Sequence, residues 1–302
     1  MPKKLFDPDA FHDLTPFIII ENYVNTFERY QTIPPNEERY LMNYLQAIII
    51  AIVEGVTEFL PISSTGHMII TEKLLGLEPS SLLNVYKITI QFGAIISVIC
   101  LYWRRFFQST DFYLKLFVGF LPAGVFGFLL SDFIDQMLGS VWIVVISLIA
   151  GGIILIFIDS WLKNDNPDNQ EITYLKAFKI GLFQVISIVP GVSRSAATII
   201  GGMFQRLNRS QAAEFSFFLA VPTMFAASAW ELFKHYNDID SSNICMLIVG
   251  NIVAFIVALI AIRSFIRFLT NHGFKIFGYY RIIVGGIILV MLLAGVDLDL
   301  LD

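Results

Sequence analysis

Glu54 and Glu58 stand four residues apart, a spacing that on a helix sets both carboxylates on one face, about one turn apart. Six apolar residues, Ile48 to Val53, precede them, which places the pair within or near membrane depth. In a soluble protein such a pair decorates a solvated helix face. At membrane depth an ionised group is costly unless it is paired, and intramembrane carboxylates read as functional. A divalent cation, Mg or Ca, shared between Glu54, Glu58 and a phosphate is an economical way to hold two like charges together, because hard cations take oxygen ligands. Just downstream, Ser63-Ser64-Thr65-Gly66-His67 supplies hydroxyl nucleophile candidates, a flexible glycine and an imidazole within five residues. The plainer reading makes the serines a helix N-cap and the histidine a structural group, and both roles coexist with anion binding at a helix start. A second cluster holds Ser193, Arg194 and Ser195, with Thr198 one turn later. An arginine inside an apolar block, rather than at its edge where it could snorkel, suits bidentate phosphate binding beside hydroxyls and backbone amides. Together these residues describe metal-assisted chemistry on a phosphate ester or anhydride, or phosphate transport.

The elements that must position them follow from composition. Of 302 residues, 56% are hydrophobic and 15% charged, against about 25% charged in ordinary soluble domains. A disordered chain is excluded, and the expectation is an all-α polytopic membrane protein. Six blocks, roughly 84–103, 115–131, 141–160, 212–233, 244–262 and 278–297, come near the ~20 residues that cross a hydrocarbon core. Two others, 43–75 and 174–202, are each broken by a proline-containing polar cluster, Pro61 to His67 and Pro190 to Ser195. Irregular polar backbone at depth survives where protein or a water-filled cavity surrounds it, so two re-entrant helical hairpins with meeting tips are expected.

Aligning Pro61 with Pro190 gives an offset of 129 residues, and each half then reads as a broken hairpin plus three spans, 43–160 and 174–297. An odd number of spans per half predicts an inverted repeat. Arg104, Arg105 and Lys115 flank one loop, Lys163 lies in a second, Arg206 and Arg209 in a third, and Arg263, Arg267, Lys275 and Arg281 bracket a fourth. Placing these in the cytoplasm turns the acidic end, Asp297 to Asp302, and the N-terminal extension outward.

Residues 1–42 are a polar extension with a surface helix expected around Phe17 to Tyr30. The run Phe17 to Ile20 is too short for a signal-peptide core, so insertion is expected to rely on the internal spans. A net charge of −5 argues against a nucleic-acid partner. Cys100 and Cys245 are expected reduced and buried, and Gln91, Gln184 and Asn251 are expected to bond between helices. Glu214 reads equally as a helix cap or as a partner that orients Arg194.

At the catalytic candidates the chain resembles the undecaprenyl pyrophosphate phosphatases of the bacterial cell envelope. The resemblance rests on Glu54-Gly-Val-Thr-Glu-Phe-Leu-Pro-Ile-Ser-Ser-Thr-Gly-His67 and Pro190-Gly-Val-Ser-Arg-Ser-Ala-Ala-Thr198, with a looser match at Glu214 to Pro222. It runs from about residue 43 to 295 and departs at Ala196, where many members have glycine. The resemblance implies hydrolysis of undecaprenyl diphosphate to the monophosphate and inorganic phosphate, recycling the lipid carrier of cell-wall synthesis. It also implies a bacterial plasma membrane location, an outward-facing site and a link to bacitracin resistance. By matching position, Glu54 and Glu58 would bind metal or diphosphate, or one would act as base. Ser64 would be the nucleophile with His67 activating it, or His67 the nucleophile, or water would attack directly. Arg194 would clamp the diphosphate with Ser63, Thr65, Ser193, Ser195 and Thr198 in support. The expected partners are a polyprenyl diphosphate and membrane lipids, with a homodimer left open. A transporter or flippase of a phosphorylated lipid or anion is the competing reading, since the repeat alone supports it equally.

Overall fold

A computed structural model describes residues 42–106, 109–138, 140–162, 170–235, 239, 243–296 and 298. The chain divides into Met1–Leu41 and Met42–Asp302. The surface helix expected at Phe17 to Tyr30, Lys163 and most of the acidic C-terminal end lie outside the described residues.

Every described element is a helix. Helix α1 (Tyr44–Thr57) starts from a capping box, Asn43 accepting from Gln46 N while the Gln46 side chain accepts from Asn43 N. After a polar turn comes α2 (Ser64–Leu74), then α3 (Ser81–Leu101), the short α4 (Trp103–Phe106), α5 (Thr110–Leu129), the short α6 (Ser131–Leu138) and α7 (Val141–Trp161). The second half continues with α8 (Tyr174–Ile186), α9 (Arg194–Phe204), α10 (Arg209–Lys234), α11 (Ile244–His272) and α12 (Lys275–Leu293).

Six of these, α3, α5, α7, α10, α11 and α12, are long and apolar enough to span a bilayer, and the chain is a multi-pass membrane protein. They match the six expected blocks, although α3, α5, α10 and α12 start three to five residues earlier and α3, α5 and α12 stop two to four residues sooner. Polar caps set those ends where hydropathy cannot: Ser80, Ser109 and Asn208 each accept a hydrogen bond from a first-turn amide. Helix α11 runs ten residues past the expected stop at Ile262, because Phe265 and Leu269 continue its buried stripe while Arg263 and Arg267 face out.

The two broken blocks fold as helix–turn–helix pairs, α1–α2 and α8–α9, whose arms pack on each other. Packing is reciprocal: α1 lies along α11, α8 lies along α5, α3 packs on α10 and α7 on α12. Small residues permit these contacts. A methyl group at Gly93 would stand 2.3 Å from Asn251 O, and one at Gly181 would stand 2.2 Å from Gly119 O. At one end of the molecule Asp159 Oδ1 accepts from Arg209 Nε (2.9 Å) and from a terminal nitrogen of its guanidinium (2.6 Å), while Oδ2 accepts from Phe274 N (2.7 Å). That cluster gathers the end of α7, the start of α10 and the α11–α12 turn.

Several expectations are corrected. Cys100 and Cys245 are free but exposed, on flanks that no other described helix covers. Gln91 and Gln184 do bond between helices, to Ser228 and Thr223, but Asn251 bonds its own helix at Leu247 O. Arg281, which its place near a block edge groups with a basic loop, is wholly buried within α12.

Candidate active site

The two polar turns share an unusual backbone. Ser63 has φ 70° and Ser193 φ 75°, and each immediately precedes the first residue of a helix, Ser64 of α2 and Arg194 of α9. Positive φ in a residue with a Cβ costs on the order of 1–3 kcal/mol and persists where the surroundings fix it. Both turns therefore aim a specific side chain, and the structure brings those side chains together. Arg194, through one terminal nitrogen, donates to Glu58 Oε1 at 3.1 Å, and Ser64 Oγ donates to Glu58 Oε2 at 2.8 Å. Glu58, at the C-terminal end of α1, is thus the joint between the two halves. Both members of its ion pair are nearly buried.

Arg194 is further held by a bond from its other terminal nitrogen to Ser216 O (3.1 Å), by Met224 Sδ at 3.3 Å, and by the Phe59 ring 5.6 Å beneath its guanidinium carbon. Its Nε, although buried, has no partner among the described residues. Glu54, one turn before Glu58 and only 2% exposed, approaches the Glu58 carboxylate, and its Oε1 is likewise buried without a partner among the described residues. Buried polar atoms in folded proteins are nearly always matched, so one free donor and one free acceptor in a single cluster mark where a ligand's polar atoms belong.

The remaining candidates separate into two groups. Thr65 stands in the first turn of α2 beside Ser64, half-buried. His67 does not reach Ser64. Its Nδ1 lies 2.8 Å from Ser63 O and so must carry the proton, while Nε2 accepts from Tyr280 Oη at 2.7 Å, with the two rings stacked. The acceptor of the Ser64 hydroxyl is Glu58 Oε2, and of the open alternatives this geometry fits the one in which a glutamate is the base.

Ser193, Ser195 and Thr198, expected at the phosphate, have their hydroxyls engaged within the protein. Ser193 Oγ caps Ala196 N, Ser195 Oγ donates to Leu60 O (2.7 Å), and Thr198 Oγ1 donates to Arg194 O (2.8 Å) and shares a 2.6 Å bond with Ser216 Oγ. Ser195 and Thr198 have no exposed surface. They tie α9 to the first turn and to α10, and so fix Arg194. Glu214 makes no bond to Arg194 among the described residues.

A divalent cation is compatible with this donor set. Among the described residues no three His, Cys, Asp or Glu side chains gather to enclose a metal, so Glu54, with its unmatched oxygen, and the adjacent Glu58 are the protein ligands on offer. Both are hard oxygen donors of the kind Mg and Ca take. Sequence reading took Ser216 only as part of the looser match Glu214 to Pro222 and Arg281 only as a basic-loop residue, and it missed Met224 and Tyr280, which carry no motif; all four reach the site from distant helices.

Similarity to known proteins extends over most of the chain. The family described as bacitracin resistance protein BacA matches residues 47–287. A Flavobacterium johnsoniae protein named undecaprenyl-diphosphatase is 55% identical over 255 residues, covering 83% of this chain and 96% of its own. Proteins of the same name from Bdellovibrio bacteriovorus (52% over 262 residues, 86% of this chain and 100% of its own) and Aquifex aeolicus (47% over 247 residues, 81% and 96%) are similar in extent.

Proposed function

The chain belongs to the BacA bacitracin resistance family, and from that membership we propose that it hydrolyses undecaprenyl diphosphate to undecaprenyl phosphate and inorganic phosphate at the Glu54–Glu58–Ser64–Arg194 cluster. The observation that carries the site assignment is the pair of unmatched buried atoms, Arg194 Nε and Glu54 Oε1. A terminal phosphate would supply the acceptor that Nε lacks, and a divalent cation, held by Glu54 and Glu58, would supply what Oε1 lacks.

Charge points the same way. With both carboxylates ionised, the two of them and one guanidinium would carry a formal −1, which would repel a diphosphate unless a divalent cation joined it. Mg or Ca held by Glu54 and Glu58 would neutralise the diphosphate and stabilise charge on the transferring group. Ser64 Oγ, its proton taken by Glu58, attacks the terminal phosphorus. The bridging P–O bond breaks, and undecaprenyl phosphate leaves with the bridging oxygen. Water then cleaves the phosphoseryl ester, returning the proton to Ser64 and releasing inorganic phosphate. Arg194 holds the non-bridging oxygens, where its charge counts most as negative charge spreads in the transition state. Ser63 and Thr65 flank the phosphate from the first turn.

The two helix–turn–helix pairs are taken as re-entrant hairpins of an inverted repeat within a phosphatase domain of residues 43–302. The reciprocal packing of α1 on α11 and α8 on α5 supports that reading. The Asp159–Arg209 cluster supports gathering the basic segments on one face, the cytoplasmic one of the bacterial inner membrane, which turns the site outward.

Phosphate release from a polyprenyl diphosphate by purified protein in detergent, with and without Mg or Ca, tests the function. Release that depends on the cation and is lost in Arg194→Ala is expected. No release from folded wild type under either metal would overturn the reading and favour transport, for which vesicle flux is the assay.

A further inference from the structure

The two turns are held to each other by a residue that neither contains. Arg281, in the first half of α12, is the largest side chain in the described molecule with no exposed surface. Its N–H groups all end on main-chain carbonyls. Nε donates to Leu148 O (3.3 Å), one terminal nitrogen to Pro61 O (3.3 Å) and Val192 O (2.8 Å), and the other to Ser147 O (2.9 Å) and Gly191 O (2.8 Å). A guanidinium has five donors and no acceptor, so every donor is matched and none is left for a ligand. Among the described residues Arg281 has no carboxylate partner within ion-pair distance. A buried cation without a counter-charge is expensive in a membrane protein, and here five carbonyl dipoles carry it.

The identity of those carbonyls gives the residue its meaning. Pro61 stands two residues before Ser63, and Gly191 and Val192 stand two and one before Ser193, the two non-glycine positions where positive φ opens a helix. One planar group therefore fixes the approach to both strained serines, and with them the starts of α2 and α9, where Ser64 and Arg194 stand. The remaining two carbonyls, on α7, anchor the clamp to the scaffold. Helix α7 leaves room for it only because residue 151 is glycine: a Cβ there would lie 2.4 Å from a terminal nitrogen of Arg281.

We infer that Arg281 is a positioning residue for the hydrolysis proposed above: it clamps the two turns in register so that the Ser64 nucleophile and the Arg194 phosphate ligand meet on one phosphorus, without itself touching substrate. The inference rests on that reading of the site. Lysine cannot take over, because three donors on a flexible stem cannot match five fixed carbonyls. A displacement of about 1 Å between reacting groups costs about 10²-fold in rate. The expected result for Arg281→Lys is thus a kcat lowered about 10²-fold with KM changed far less, since the groups that bind the diphosphate are all present.

The experiment measures kcat and KM for wild type, Arg281→Lys, Arg281→Ala and Gly151→Ala in detergent, with thermal unfolding of each. Gly151→Ala keeps the charge and presses a methyl group on the guanidinium, so a smaller loss in kcat of the same kind is expected. An apolar groove of about 290 Å³, lined by Ile158, Phe183, Val192 and Ala196 among others, reaches Arg281. Methylguanidinium entering it is expected to restore part of the kcat of Arg281→Ala, while methylammonium is not. Folded Arg281→Lys and Gly151→Ala with wild-type kcat would overturn the inference. So would equal losses in kcat and in binding, or failure of every variant to fold, since Arg281 would then serve stability alone. Inactive wild type would instead sink the function reading, which keeps the two failures apart.

Discussion

The two broken segments begin their second helices with the same backbone device and use it for opposite ends. In the first, Ser63 caps no amide, and the next residue, Ser64, turns its hydroxyl to a carboxylate. In the second, Ser193 caps its helix, and Ser195 and Thr198 bond to Leu60 O, Arg194 O and Ser216. One turn leaves its hydroxyl facing the Glu58 carboxylate. The other consumes its hydroxyls to immobilise a single arginine. Under the hydrolysis proposed above, the first segment presents the reacting group and the second holds the arginine, and they meet at Glu58. The matched turns supply the geometry, and the side chains decide what each turn does with it.

The sharpest way to break that division is to remove the residue each half exists to present. Arg194→Ala should lower kcat/KM by about 10³-fold or more, the scale on which a phosphate-clamping arginine acts, while the protein still unfolds cooperatively. Near-normal turnover would take Arg194 out of the site. Glu58→Gln removes the acceptor of both Ser64 and Arg194 and should cost about 10²–10⁴-fold in kcat, the range of a general base, together with weaker dependence on added divalent cation. A variant that stays active and equally metal-dependent would show that the carboxylate has neither role.

Much of this architecture is legible in the amino-acid sequence, and the reasons are physical. Spanning helices announce themselves because lipid demands about 20 apolar residues, and the two breaks stand out because polar backbone at depth is conspicuous. Helix ends are less legible: α11 continues past Arg263 because charges on its outer face cost little while Phe265 and Leu269 still pack inside. The choice between His67 and Glu58 as partner of Ser64 is not legible at all. Both are close in sequence, and the bond to Glu58 emerges only from the folded turn, with its positive φ at Ser63 and with Arg194 holding the carboxylate. Arg281 is hidden for a similar reason. A lone cation near a block edge reads as a loop residue, and its carbonyl partners lie as far as 220 positions away.

A smaller effect separates presenting hydroxyls from holding ones. Ser195→Ala leaves Leu60 O buried without that donor, which should cost about 1–3 kcal/mol of stability, read as a lower unfolding temperature in detergent. Turnover of the folded fraction should stay close to wild type, whereas Ser64→Ala should lose it almost entirely with little change in stability. If Ser195→Ala abolishes turnover in folded protein, its hydroxyl touches the reaction and the holding role assigned to the second turn fails.

The smallest effect concerns the imidazole. Tyr280 is about 41% exposed, and its hydroxyl satisfies Nε2 of His67 while the rings stack. Tyr280→Phe keeps the stack and removes one partly solvated hydrogen bond, a change of about 0.5–1.5 kcal/mol at most. Because Ser64 already has its acceptor in Glu58, the nucleophile does not depend on where the imidazole points, and kcat should be nearly unchanged. A collapse of kcat comparable to that of Ser64→Ala, in protein that still folds, would mean that the first turn works through His67 after all. The serine–carboxylate pairing would then be a resting arrangement, and the division between the two halves would have to be redrawn around an imidazole held by α12.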